Sequence, residues 1–150
     1  MLETRLATLG DLTHILNMAK DLHAESPYYS KAIFDEDKTA RLLIATIENN
    51  KMILITYDQK IIGMTAYLIH EHLFSSSKIA IETTMYLKQE YRSLPAFRAL
   101  LARLEKEAFA HDVLNLTVGT TTGIQADRVL KLYERHGYDL VGYTLVKDIQ

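Results

Sequence analysis

The sequence has no cysteine and no tryptophan, only two prolines, and six glycines in 150 residues. Without cysteine there are no disulfides, no thiolate metal ligands and no cysteine nucleophile. This fits a reducing, cytoplasmic setting. So few prolines and glycines leave little room for linkers and favour continuous packed elements. No apolar run approaches the roughly 20 residues of a membrane helix. The opening MLETRLATLGD carries charges where a signal peptide would need an apolar stretch. Basic excess is missing too: the net charge is −2, which argues against a nucleic-acid partner. No HExxH-type spacing is present, so no metal site is expected.

What remains is ordinary globular composition, 48% apolar and 24% charged, at a length suited to one domain over residues 1–150. The element order reads β α α β β β α β α β. Leu2 to Ala7 alternates as a first strand, and Thr8 with Asp11 forms a capping box ahead of a helix that buries Leu12, Ile15, Leu16, Ala19 and Leu22. A structured loop follows over 23–35, with Tyr28, Tyr29 and a buried-looking Ile33–Phe34 pair. Asp35 caps a helix over Glu36 to Glu48. Strands are expected at Met52 to Tyr57, Ile61 to Phe74, Ile79 to Leu87, Val113 to Val118 and Tyr138 to Asp148. A helix over Ala126 to His136 ends at Gly137. The crossing from Ile79 to Val118 should be parallel and right-handed. The fold class is therefore α/β (α+β), a mixed, mainly antiparallel sheet with helices on both faces.

The stretch Ile79 to His111 organises the chain. Its first half is a strand, and QEYRS turns into a helix with apolar residues at Leu94, Phe97, Leu101, Leu104 and Ala108. Ser93 or Leu94 caps this helix, and Pro95 suits its first turn. A helix N-terminus at the end of a strand is a ready site for a phosphate or pyrophosphate.

That element order, with MYLKQEYR, ALLARLEKEA and LYERHGY, resembles the GNAT family of acyl-CoA N-acyltransferases over essentially the whole chain. LHAESP, EHLF and VGTTTGI are similar to a subtype found in bacteriophage genomes. The resemblance implies that acetyl-CoA lies as co-substrate between two splayed parallel strands. Met85, Tyr86 and Leu87 would face its pantetheine, and Arg92, Ser93, Leu94, Pro95, Ala96, Phe97 and Arg98 its pyrophosphate. Two positions depart from the family's glycine-rich turn: Pro95 supplies no N–H and Phe97 adds bulk, so Arg92, Arg98 and Ser93 would have to compensate. Ala126 replaces the family's asparagine on the last helix, with Gln125 adjacent.

The implied reaction is acetyl transfer to a primary amine by direct attack in a ternary complex. Tyr133, in LYERHGY, falls on the tyrosine that faces the sulfur and binds the cofactor. Glu82 is the expected base, since a carboxylate on an apolar strand must be solvated or paired. Tyr28, Tyr29, His70 and His72 are the expected substrate contacts, with Glu25, Asp35, Glu36 and Glu71 as acids that could draw in an amine. Homodimers are common in such proteins, and the last strand's edge could pair across a two-fold axis. The alternative is a catalytically inactive binding module of the same fold, acting on a protein partner.

Overall fold

The computed structural model describes residues 1–149. Strand β1 (Leu2–Leu6) leads through a short 3-10 turn into α1 (Leu12–Glu25). Helix α2 (Glu36–Glu48), β2 (Met52–Tyr57), β3 (Lys60–Glu71) and β4 (Lys78–Leu87) follow, then α3 (Leu94–Phe109), β5 (Val113–Thr117) and α4 (Ala126–Arg135). The strands form one sheet in the order β1-β2-β3-β4-β5, antiparallel throughout except for the parallel β4–β5 pair.

Local chemistry sets the element ends as the sequence implies. The Thr8–Asp11 capping box is present, and the Asp11 carboxylate also takes both Arg5 terminal nitrogens at 2.8 and 2.9 Å. Those bonds hold its pKa down to about 2. Asp35 accepts from Lys38 N at the start of α2, and Ser93 from Ala96 N at the start of α3. Gly137 follows α4 at φ +90°, a conformation that favours glycine.

Each face of the sheet carries its own core. On one, α1 and α2 pack Ile15, Met18, Leu43 and Ile47 against Met52, Leu54, Met64, Ala66 and Tyr86. On the other, α3 and α4 pack Phe97, Leu100, Leu101, Leu104 and Tyr133 against Ile53, Ile55, Tyr67, Ala80 and Leu87.

Three expectations are corrected. The stretch after Gly137 forms no strand; residues 138–149 enter no ladder among the described residues. The reason is that the segment leaves α4 without meeting a sheet edge. Ile33 is 97% exposed rather than buried, because the 26–35 loop turns it outward from α1. Strand β3 stops at Glu71, leaving His72 and Phe74 in the connection to β4.

Candidate active site

The site begins with a bulge in β4. Ala66 pairs with Thr84, but the next β3 residue, Tyr67, pairs with Glu82. Thr83 is therefore an extra residue, and it reverses the alternation of side chains. Without it Glu82 would point with Tyr86 towards α1. With it, Glu82 lies opposite Tyr67 on the face covered by α3 and α4.

The same strand loses its neighbour at this point. The β4–β5 ladder ends at Ile81–Thr117, while β4 continues to Leu87. Lys88 N donates to Ile62 O across the sheet, so by alternation Met85 and Leu87 direct their backbone groups to the open side. Beyond the last β5 pair lies a cleft of about 650 Å³, walled by β4, the start of α3, the 119–125 loop and α4.

At its floor, Tyr133 Oη donates to Glu82 Oε1 across 3.5 Å. That is long for an O–H···O bond and leaves the hydroxyl able to turn towards the cleft. Burial lifts the Glu82 carboxyl to about 7, although the tyrosine contact acts in the opposite direction. Burial, together with the Glu82 charge, pushes the Tyr133 phenol well above its ordinary value. Tyr133 is 3% exposed, with the rings of Phe97 and Tyr138 each 5.4 Å away, edge to face. Edge-to-face packing of this kind fixes a ring's orientation. The pair thus holds a carboxylate that titrates near neutrality beside a phenol that keeps its proton.

At the other end, Arg92 lines the cleft with its guanidinium already committed. Its Nε donates to Leu87 O at 2.9 Å, and its terminal nitrogens clasp Glu25 at 2.6 and 2.7 Å. Gln89 donates to the same carboxylate at 3.2 Å, and the Arg92 hydrogen bond is the main reason that the Glu25 pKa is lowered. The first turn of α3 is also short of donors. Pro95 has none, Ala96 N is taken by Ser93 Oγ, and Phe97 N donates to Ser93 O. Leu94 N is the exception.

Of the residues singled out in the sequence, Glu82, Met85, Tyr86, Leu87, Arg92, Ser93, Leu94, Phe97, Tyr133 and Tyr29 line the cleft. Pro95, Ala96 and Arg98 do not; Ala96 is buried in the α3 core. Tyr28 packs its ring over Gly123, which sits at φ +75° where a side chain would collide with that ring. Ser26 donates to Thr122 O and accepts from Tyr28 N and Tyr29 N, fastening the two loops together. His70 and His72 lie at the far end of the β3–β4 hairpin, outside the cleft. There His70 bonds Glu71 O and His72 accepts from Phe74 N. His70 near the end of β3 and His72 in the β3–β4 connection lie beside the part of β4 that still pairs with β5.

Three lining groups were not anticipated. Arg128 forms no ion pair among the described residues, and Thr83 and Thr120 to Thr122 add hydroxyls to the wall. For Arg128 the available signal was its place in the first turn of α4, on the side that Val129 and Leu132 share with Tyr133.

Comparison with known proteins agrees with this layout. The acetyltransferase (GNAT) family matches over residues 15–138. The chain belongs to that family. A search of curated proteins finds no match. Among solved structures, this GNAT chain is similar to a transcriptional regulator from Bacillus halodurans, with a TM-score of 0.76, 18% identity and coverage of 99% of this chain and 100% of that one. It is similar to a predicted acetyltransferase from Clostridium acetobutylicum solved with acetyl-CoA, at TM-score 0.76, 16% identity and 99% and 96% coverage. An aminoglycoside N-acetyltransferase in complex with CoA gives TM-score 0.78, 13% identity and 100% and 95% coverage. At these identities the likeness concerns the fold.

Proposed function

We propose that this GNAT protein transfers an acetyl group from acetyl-CoA to a primary amine, by direct attack within a ternary complex. The observation that carries the proposal is the Glu82–Tyr133 pair on the floor of a cleft that opens where β4 loses its β5 partner. The residues fit the co-substrate best at its pantetheine end. The open N–H and C=O of Met85 and the N–H of Leu87 match amide groups, as a further strand would. Leu94 N–H and Arg128 are the groups left for phosphate at the helix end.

Acetyl-CoA, when bound, supplies an activated acyl thioester. Glu82, titrating near 7, accepts the proton that an ammonium must lose before its nitrogen can attack. The bulge at Thr83 and the Tyr67 pairing hold that carboxylate on the cleft side. Tyr133 remains a phenol and offers its proton to the departing sulfur. The Phe97 and Tyr138 rings restrict its position.

The acceptor is best read as a small amine with one cationic centre. Glu25 is bonded to Arg92, Glu36 to Lys20 at 3.1 Å, and Asp35 caps α2. Glu82 is then the uncommitted carboxylate among the residues lining the cleft. A polycation would find no second one there.

The first test is thermal unfolding with acetyl-CoA, using desulfo-CoA and ATP as controls. A ligand at about a hundredfold its Kd stabilises by roughly 2.7 kcal/mol. An amine panel of monoamines and polyamines follows, read by product mass. A shift with CoA species and acetylated monoamines support the proposal. No shift and no product would sink it in favour of a non-catalytic binding module, and preferential acetylation of polyamines would sink the acceptor reading alone.

A further inference from the structure

One joint crosses the cleft without lining it. Ser26 follows α1 and is fully buried. Its Oγ donates to Thr122 O and accepts from Tyr28 N at 3.3 Å and Tyr29 N at 3.1 Å, so the hydroxyl is fully used. Beside it the Tyr28 ring covers Gly123 so closely that a Cβ there would lie 2.5 Å from the ring. Helix α1 packs on one face of the sheet and α4 on the other. The joint therefore spans the open edge of β4, beyond its last β5 pair. Its neighbours on both sides line the cleft, Glu25 and Tyr29 on one and Thr122, Ile124 and Gln125 on the other. Ser26, Tyr28 and Gly123 themselves do not.

The loop on the α4 side is held under strain. Gln125 is left-handed, at φ +47° and ψ +45°, a region that residues other than glycine seldom enter. Its side chain makes no capping bond to α4 in return. Such a conformation persists where its surroundings hold it. Here the Ser26 bond fixes Thr122, whose Oγ1 in turn accepts from Ile124 N at 3.2 Å. Relief of the strain opposes closure, and the Ser26 bonds oppose release.

We infer that Ser26, Tyr28 and Gly123 form a latch over the cleft, which opens as one unit to admit and release acetyl-CoA and closes over the bound arm. This rests on the reading of the cleft as the co-substrate site. Closed, the latch completes a ring with β4, the end of α1 and the 119–125 loop, so an arm lying along Met85 and Leu87 is enclosed. Ser26 does not touch that arm; it sets how often the ring opens. While the latch is mostly closed in both the free and the bound protein, loosening it changes rates and leaves affinity alone.

Surface plasmon resonance with CoA on the full chain, together with hydrogen exchange on the same proteins, tests it. In the unaltered chain the Tyr28, Tyr29 and Ile124 amides should share one opening constant, larger than those of α1 and β4, and CoA should slow all three. Ser26→Ala should raise that constant in both loops. It should also speed CoA association and dissociation together by about three- to tenfold, the range that one net hydrogen bond allows, with Kd kept within about twofold. Gly123→Ala loosens the same joint from the other side, and should act in the same direction even if Ser26→Ala fails to fold. Unchanged rates for CoA in both variants overturn the inference and leave the acetyl-transfer reading intact, since the arm then threads a closed ring. Independent exchange of the three amides also overturns it, as does a Kd that rises while association keeps its rate; Ser26 would then be part of a fixed wall. No binding of CoA to the unaltered chain overturns the reading of the cleft and this inference with it.

Discussion

The two ends of the cleft are built in opposite ways. At the floor, Tyr133 is buried and Glu82 half-buried, and they make one long bond to each other, so desolvation sets both pKa values and neither group is spent. At the helix end, Arg92 is spent: three bonds to Leu87 O and Glu25 use its guanidinium, and Ser93 uses the Ala96 N–H. Desolvation without strong pairing leaves a group reactive, whereas strong pairing makes it structural. Under the proposed function, this contrast favours the β4 bulge for the chemistry. It leaves the α3 turn chiefly an anchor between α1 and the sheet.

The largest effect should follow removal of the floor groups. Tyr133→Phe and Glu82→Gln are each expected to lower kcat by roughly 10²-fold or more, the usual size of a lost general acid or base. The KM for acetyl-CoA should move little in Glu82→Gln. For the unaltered enzyme, kcat/KM should rise with pH through about 7, where Glu82 loses its proton. Glu82→Gln should lose that inflection and keep only the dependence set by the amine itself. Stopped assays across pH check both. Full turnover in both variants would erase the distinction between the two ends.

A smaller effect should appear in stability, with a definite sign. The folded Glu82 carboxyl titrates at about 7 against an ordinary 4.5, so between those values the folded chain holds a proton that the unfolded chain has released. Stability therefore falls as pH rises through that window, and the penalty is complete above it. Glu82→Gln removes the charge, and should gain roughly 3 kcal/mol over the unaltered chain at about pH 8. The two should converge towards about pH 4.5. Denaturant melts at both ends of the window test this, and a variant less stable than the parent at the higher pH would show that the carboxylate is not desolvated.

Much of this was readable from residue order. The helices came through because Asp35, Ser93 and Gly137 carry their own stop and start chemistry, and the strands at Met52–Tyr57 and Ile79–Leu87 because their apolar runs have no other use. Glu82 and Tyr133 could be named from a motif and an odd carboxylate. The bulge that unites them could not, since Thr83 looks like any other strand residue and its displacement is decided by pairing with β3. Nor could the fate of Arg92 be read: its partner Glu25 is distant in sequence and meets it only once α1 packs on the sheet. The segment after Gly137 has strand composition without a strand, because an edge must be present as well as a willing chain.

The smallest effect sharpens the comparison at the helix end. If the α3 turn is weak because it is short of donors, restoring one should help. Pro95 is exposed, at the second position of α3, and its ring contributes nothing to the core. Pro95→Ala adds an N–H at a helix N-terminus while keeping a good helix former. One added hydrogen bond is worth about 0.5–1.5 kcal/mol, so the Kd for CoA should fall by a few-fold to about tenfold. The change in kcat should be negligible, because the substitution lies at the opposite end of the cleft from Glu82. Calorimetric titration with CoA and with dephospho-CoA reads the gain, which should be equal for both if it arises at the pyrophosphate. Unchanged affinity would mean that the turn does not face the phosphates, and that Arg128 carries that task from α4.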